Sequence, residues 1–203
     1  MILNQIQKTG VLAKLLGKGI KILLKKECKD IGKLKIDIIS NSIQIIKGLI
    51  EKIYIVAEEI NYKDLFLDKI ELEANDIKIK FKIQKKELTF ENNPIIKFKI
   101  SLSEDSMKTV LLYNNWNSIT DLISKEILNQ DKLEDIEIKN GKIIIITSKS
   151  NKTINKRETV DIKAKNGNLY LENRAIKKSI KIPIEEKIFI QNVNTKNNLI
   201  NIL

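Results

Sequence analysis

The first part of the chain repeats hydrophobic residues at intervals of three and four, which predicts an amphipathic helix. The pattern runs from Ile2 to about Lys26, and Gly32 is a suitable stop signal beyond it. One side of this helix is apolar and the other is basic, through Leu12, Leu16, Ile20 and Leu23 on the first and Lys14, Lys18, Lys21 and Lys25 on the second. We therefore expect residues 1–30 to form a basic amphipathic helix whose apolar side packs against another element.

Beyond Gly32 the hydrophobic period becomes two, which is typical of strands with one buried face. Residues 33–102 alternate in segments that predict strands at 33–38, 53–57, 59–83 and 96–102. Residues 103–130 return to helical spacing, with Ser103 suited to a helix start and Ser118 to Asp121 reading as a capping box. Residues 134–203 alternate again and predict strands at 134–138, 142–148, 158–164, 169–171, 176–184, 187–191 and 198–203.

Short connections join these segments, among them the turn signals Asn140-Gly141 and Asn166-Gly167. Such connections favour antiparallel neighbours over β-α-β units. We expect an α+β fold in one domain over residues 1–203, with a long curved antiparallel β-sheet rolled against the N-terminal helix and the central helical pair. A stripe on the central helices is the expected cover of the sheet, formed by Ile119, Leu122, Ile123, Ile127 and Leu128.

The hydrophobic phase changes within residues 59–81. Three residues keep the first phase, Ile70, Leu72 and Ala74, and four keep the second, Ile77, Ile79, Phe81 and Ile83. One extra residue near Asn75-Asp76 would form a β-bulge, which bends the strand and lets both apolar halves face one interior. The alternative is a tight turn there between two shorter strands.

Charge is concentrated near the N-terminus. The whole chain carries a formal charge of +11, and residues 1–35 hold nine lysines against Glu27 and Asp30, a local net of +7. Such basicity suits nucleic acid or an anionic membrane as a partner. The abundance of Ile, Lys and Asn also fits the coding bias of an A+T-rich genome, so both explanations stay open.

Catalytic motifs are missing from the sequence. The chain has no histidine and a single cysteine, Cys28, which removes histidine-based triads, a disulfide and the common zinc sites. Neither a P-loop nor a dinucleotide-binding glycine motif occurs. Paired carboxylates such as Glu71 and Glu73 alternate with lysines, as on a solvated strand face. We expect no enzyme, no cofactor and no metal.

Location and partners follow from the same composition. We see no signal peptide or transmembrane segment, so the expected location is cytoplasmic or peripheral on a membrane. Aromatic residues make up only 5% of the chain, which leaves few platforms for stacking bases and makes nucleic acid an unfavourable partner. The alternative function is a basic scaffold that binds RNA or a protein.

Hydrophobic motifs recur in a fixed order between Gly48 and Phe81. The first strand carries Gly48, Ile50, Ile53, Ile55 and Ala57, the second carries Tyr62, Leu65, Leu67, Ile70 and Leu72, and a small-residue break follows at Asn75-Asp76-Ile77. This segment resembles the hallmark region of the LmeA-like phospholipid-binding family, in its cyanobacterial-type members. Residues 11–38, 114–128 and 182–203 are similar to other parts of the family, while Lys63-Asp64 replaces its usual small residue.

The resemblance implies a fold similar to tubular lipid-binding domains, with an apolar groove for acyl chains. The expected partners are a phospholipid or other acyl-chain ligand and an anionic membrane surface. The candidate lipid-binding residues are Ile53, Ile55, Leu65, Leu67, Ile70, Leu72, Ile77, Ile79, Phe81, Ile119, Leu122 and Ile123, and the candidate membrane-contact residues are Lys14, Lys18, Lys21 and Lys25. The alternative is that the apolar residues fill a closed core and bind nothing.

Overall fold

The structure, a computed structural model, describes residues 10–82, 87–112, 116–128, 131–149 and 152–203. For residues 81–82, 87–88, 149 and 152–155 it describes the backbone. Residues 1–9, the beginning of the predicted first helix, lie outside the described residues.

Antiparallel strands and a few helices make up the described chain, so the α+β class is confirmed. In chain order the elements are α1 Val11–Glu27, β1 Asp30–Ile39, α2 Ser42–Ile46, β2 Leu49–Tyr62, β3 Leu65–Lys82, β4 Glu87–Phe90, β5 Ile96–Ser103, α3 Glu104–Leu112, α4 Asn117–Glu126, β6 Lys132–Lys139, β7 Lys142–Lys149, β8 Lys152–Lys165, β9 Asn168–Asn173, β10 Lys178–Lys181, β11 Val193–Lys196 and β12 Leu199–Ile202. They form two compact units: unit 1 is Met1–Lys63 with Ile70–Phe98, and unit 2 is Asp64–Lys69 with Lys99–Leu203. Strands β3 and β5 therefore each contribute residues to both units.

In unit 1, β1 pairs with β2, β2 neighbours β3, and β4 pairs with β3. Ile36 lies opposite Ile55 in the β1–β2 register, and Ile38 lies opposite Ile53. Residues opposite each other in an antiparallel pair share a face, so these isoleucines form one apolar surface. Helix α1 covers it, with Ala13 only 3% exposed in a core cluster that includes Ile38.

The predicted long strand over 59–83 is two strands. β2 ends at Tyr62, and β3 begins at Leu65 after a two-residue turn in which Lys63 and Asp64 have φ of 50° and 66°. Two consecutive left-handed residues are the geometry of a tight hairpin turn. The sequence signal was weak because lysine and aspartate stand where glycine or asparagine is usual.

The change of phase in β3 is a β-bulge, as predicted. The strand continues without a break through Asp76, whose φ of 51° is in the left-handed region. The side-chain amide of Asn92 fixes the bulge, since it donates to the carbonyl of Asp76 at 2.7 Å and accepts from the N–H of Lys78 at 2.9 Å. The alternative of a tight turn at Asn75-Asp76 is therefore wrong.

In unit 2, β5 pairs with β12 and β12 with β11, while a second sheet has the order β10-β9-β8-β7-β6. Helices α3 and α4 contact β6, and α4 also contacts β10. The most deeply buried hydrophobic residues of this unit are Ile127, Leu128, Ile136, Ile138, Val160 and Ile200. The unit thus has a filled aliphatic core of its own.

Several local predictions are confirmed. Asn140-Gly141 joins β6 to β7 with both φ values positive, and Asn166-Gly167 joins β8 to β9 in the same way. Ser103 precedes α3, and its hydroxyl accepts the N–H of Ser106 at 3.2 Å.

Other local predictions are wrong. Residues 187–191 form no strand, and Ile190 makes only a single bridge to Gly167. Predicted strand 198–203 shortens to Leu199–Ile202, because Asn197 and Asn198 form the turn from β11. Helix α4 begins at Asn117, so Ser118 is inside it and no capping box forms there; Trp116 is its N-cap and makes no side-chain cap.

Candidate functional site

An apolar cavity of about 290 Å³ lies in unit 1, between α1 and the sheet. Fifteen residues line it, and fourteen of them are apolar: Leu16, Ile20, Leu23, Leu24, Ile50, Ile53, Ile55, Leu72, Ala74, Ile77, Ile79, Phe90, Pro94 and Ile96, with Glu27 as the fifteenth. We call this cavity the apolar groove. Its walls offer contact area and almost no hydrogen-bonding groups.

Helical and strand periodicity together build the groove. Leu16, Ile20 and Leu24 recur at intervals of four, so they lie on the same side of α1 above the sheet. Ile53 and Ile55 are two apart on β2 and point to that same face. Each wall is therefore one face of a regular element.

The β-bulge gives the groove the rest of its floor. Leu72 and Ala74 precede Asp76, Ile77 and Ile79 follow it, and all four line the groove. In a regular strand, odd and even positions point to opposite faces, so Ile77 and Ile79 would turn away from Leu72. The extra residue in β3 is what brings both halves to one cavity.

The groove is open at one side. Ile50 and Ile77 are each 2% exposed at its floor, whereas Leu23, Phe90 and Ile96 are 50%, 59% and 53% exposed. Large hydrophobic side chains at such exposure cost free energy in water. An open apolar slot with an apolar rim can accept a flexible hydrocarbon chain from outside.

The opposite face of the same sheet is polar. Lys52 pairs with Glu73 at 2.9 Å, and the Tyr54 hydroxyl donates to Glu71 at 2.7 Å. The hydrogen bond to Glu71 raises the pKa of Tyr54, and those from Lys52 and Asn75 lower the pKa of Glu73. With these polar side chains on one face of β2 and β3, the apolar face is the one that turns toward α1.

Five of the predicted lipid-binding residues come together in the groove: Ile53, Ile55, Leu72, Ile77 and Ile79. Ile70 is half-buried in β3 and is not in the lining. Leu65 and Leu67 belong to unit 2, at the start of β3. For Phe81 the described backbone pairs with Leu88, and its side chain is outside the described set.

The expected cover from α4 is placed elsewhere. Ile119, Leu122 and Ile123 belong to unit 2, where Ile123 is 2% exposed and α4 contacts β6 and β10. In unit 1 the cover is α1, whose apolar side the sequence pattern had already identified. The amphipathic pattern shows that each helix needs a sheet, but it does not say which sheet.

The part of the lining around the β4–β5 loop was missed because its residues have no regular spacing. Phe90 ends β4, Pro94 is in the following loop, and Ile96 opens β5. The Asn92-Asn93-Pro94 turn was the available signal, since it brings the residues on either side of it together.

All four candidate membrane-contact lysines are exposed on α1: Lys14, Lys18, Lys21 and Lys25. Among the described residues none of the four has an ion-pair partner within 4.0 Å. Three of them, Lys14, Lys18 and Lys21, lie along the edge where α1 meets β1. Their charges are thus available to an external partner.

Other kinds of site find little support in the described part of the chain. Within those residues no three Cys, Asp or Glu side chains gather in a way that could hold a metal ion. Cys28 is half-buried, and burial raises the pKa of its thiol. None of the helices described is both long and apolar enough to cross a bilayer.

Comparisons of the chain with protein-family models, with curated proteins and with solved structures find no match. The chemistry of the groove is an aliphatic wall built from α1, β2 and β3 together with an open, apolar mouth.

Proposed function

We propose that the chain binds a phospholipid or a similar amphiphile without chemical change, with an acyl chain in the apolar groove. The observation that carries this proposal is the continuous aliphatic lining, in which fourteen of fifteen residues are apolar. Attraction between hydrocarbon and such a wall is non-directional, so no catalytic or hydrogen-bonding constellation is required.

The size of the groove suits part of one acyl chain. Its volume of about 290 Å³ is roughly twice that of the engineered ~150 Å³ cavities that hold benzene. Each methylene group that leaves water for the groove contributes about 0.8 kcal/mol. The polar head group would stay at the mouth, near Leu23, Phe90 and Ile96.

Two further features support the proposal. The change of phase in β3 places Leu72 and Ala74 on the same cavity as Ile77 and Ile79, opposite the apolar side of α1, which suits a groove for an acyl chain. The segment from Gly48 to Phe81, which resembles the LmeA-like phospholipid-binding family, supplies seven of the fifteen lining residues: Ile50, Ile53, Ile55, Leu72, Ala74, Ile77 and Ile79. The proposed family relationship and the proposed groove therefore concern the same residues.

Two measurements test the proposal. Native mass spectrometry of the purified protein is expected to show copurified lipid, and a fluorescent fatty acid is expected to bind and to be displaced by phospholipid. The variant Ile20→Trp fills the groove from α1 and is expected to weaken probe binding at least tenfold.

The matched control is Ile39→Trp, the same exchange at a 42%-exposed position of β1 outside the groove lining. It is expected to bind the probe like the wild type. Protein that is always free of lipid and never binds the probe would overturn the proposal, as would an Ile20→Trp variant that binds normally.

A further inference from the structure

Helix α1 has a second apolar stripe that faces solvent. Val11, Leu15 and Ile22 are 75%, 57% and 69% exposed. At 3.6 residues per turn they share one side of the helix, opposite Ala13 and Ile20, which face the sheet. A helix that only covers a sheet needs one apolar side, and α1 has two.

Lysines border this outward stripe on both sides. Lys18 and Lys25 lie along one edge of the stripe, and Lys14 and Lys21 lie on the same side of the helix but farther from the stripe. Lys26 lies along the other edge. The only carboxylate of α1 is Glu27, which lines the groove on the opposite side of the helix. The outward surface is therefore apolar along its centre and wholly cationic at its margins.

This arrangement is the chemistry of a helix that lies in a membrane interface. Such helices bury an apolar stripe at the boundary of head groups and acyl chains, while flanking lysines contact lipid phosphates. A second copy of α1 would bring like charges together, which disfavours self-association through this surface. Among the partners that could cover an apolar stripe, the lysines therefore favour an anionic bilayer.

We infer that the outward face of α1 docks on an anionic lipid bilayer, with Val11, Leu15 and Ile22 inserted between the head groups. The inference rests on the proposed function, because docking would bring the groove to its source of lipid. The same helix would then contact bilayer on one side and bound acyl chain on the other.

Vesicle flotation tests the inference. Wild-type protein is expected to float with phosphatidylcholine vesicles that contain 30% phosphatidylserine, and to bind pure phosphatidylcholine vesicles at least tenfold more weakly. The triple variant Val11→Gln, Leu15→Gln, Ile22→Gln is expected to lose about tenfold or more in partitioning onto the anionic vesicles. The quadruple variant Lys14→Gln, Lys18→Gln, Lys21→Gln, Lys25→Gln is expected to lose a similar factor.

A control variant distinguishes the effect of the position of the lysines on α1 from the effect of the total charge of the protein. Lys165→Gln, Lys177→Gln, Lys181→Gln and Lys187→Gln remove the same charge from exposed positions of unit 2, and this variant is expected to float like the wild type. All the substituted residues are exposed, so melting curves are expected to match that of the wild type.

Binding of the fluorescent fatty acid distinguishes the two proposals, since the triple variant leaves the groove lining unchanged and is expected to bind the probe normally. The docking inference is overturned if the triple variant floats like the wild type or if wild-type protein ignores anionic vesicles. It is also overturned if the stripe instead supports a dimer, seen as a concentration-dependent mass that the triple variant loses.

Discussion

Asp76 is the left-handed residue at which β3 changes phase, and the Asn92 side chain is bonded to the backbone there. The Asn92 side chain makes two hydrogen bonds to the backbone on either side of Ile77. We expect Asn92→Ala to lower the free energy of unfolding by about 1–3 kcal/mol. Urea denaturation measures this change.

The neighbouring Asn93→Ala is the control, because Asn93 is exposed and belongs to the same turn. Asp76→Gly adds a second check: glycine adopts a φ of 51° without strain, so this variant is expected to be at least as stable as the wild type. Equal stability of the two asparagine variants would contradict the role given to Asn92.

Gly48 permits a close approach between the start of β2 and β3. Its φ is 74°, its carbonyl accepts the N–H of Ile79 at 2.7 Å, and a Cβ there would lie 2.1 Å from the Ile79 carbonyl oxygen. Because a backbone atom blocks the added methyl, we expect Gly48→Ala to cost about 3 kcal/mol of folding free energy.

Gly19→Ala is the matched exchange in α1, where a Cβ would meet nothing within 4 Å. It is expected to stabilise the protein by up to about 1 kcal/mol, since alanine favours a helix more than glycine. Thermal denaturation of both variants checks the pair. If both shifted the melting temperature in the same direction, the close approach at Gly48 would not explain its glycine.

Glu104 gives unit 2 a defined sensitivity to acid. Its carboxylate accepts the N–H of Ile138 at 2.7 Å and pairs with Lys108 at 2.9 Å, and these contacts lower its pKa. The charged form is the one that the folded state stabilises. This stabilisation is complete above the ordinary pKa of a glutamate and is lost as the pH falls through the lowered value.

We therefore expect Glu104→Gln to reduce the melting temperature at neutral pH and to match the wild type more closely as the pH approaches 3. Melting curves at pH 7, 5, 4 and 3 measure the difference. Glu185→Gln, an exposed position in unit 2, is the control. A difference that does not shrink with acid would mean that charge on Glu104 is not what matters.

At the scale of elements, the packing of α1 on β1 rests on a small residue. Ala13 is 3% exposed and packs in one cluster with Ile38. We expect Ala13→Leu to lower the free energy of unfolding by about 1–3 kcal/mol, because the added atoms overfill this contact. Gly19→Leu adds a leucine to the open side of the same helix and is the control.

Urea denaturation reports the stability, and binding of the fluorescent fatty acid reports whether the groove changes with it. If α1 shifts to admit the leucine, probe binding changes in Ala13→Leu and not in Gly19→Leu. Equal denaturation midpoints for the two variants would show that α1 does not pack closely at Ala13.

The elements also show how far the sequence alone could go. The hydrophobic periodicity of the sequence predicted α1 and most strands. The change of phase at Asn75-Asp76 also predicted the bulge in β3. Helix α2 was missed because Ser42–Ile46 is too short to show a period, although Asn41 and Gln44 form its capping box. The false strand at 187–191 arose from two isoleucines two apart, of which Ile190 makes only one bridge.

The prediction of the site failed where it depended on contacts between elements that are far apart in sequence. Five groove residues could be named from β2 and β3, yet the choice of α4 as cover was a choice between two amphipathic helices. Which helix covers which sheet depends on chain topology and on contacts far apart in sequence, and a single sequence does not show these.

At the scale of the whole molecule, the charge of +11 is uneven, and that unevenness argues for function over coding bias. A bias in codon use would scatter lysines over all surfaces, whereas α1 collects Lys14, Lys18, Lys21, Lys25 and Lys26 around an exposed apolar stripe. Several lysines of the described strands form an ion pair with an acidic neighbour, such as Lys33 with Glu58 and Lys52 with Glu73. Among the described residues the five lysines of α1 have no such ion pair, so their charges act together on an external anion.

The interleaving of the two units has a consequence for synthesis on the ribosome. Unit 1 cannot close until residues 70–98 have emerged, and by then residues 64–69 of unit 2 already exist. Strand β5 begins at Ile96, and its partner β12 is synthesised only at Leu199–Ile202. During that interval the nascent chain carries an unpaired β5 edge, the kind of edge that associates with other chains. Translation speed and chaperone protection between residues 103 and 199 are therefore expected to decide how much of this protein reaches its folded form.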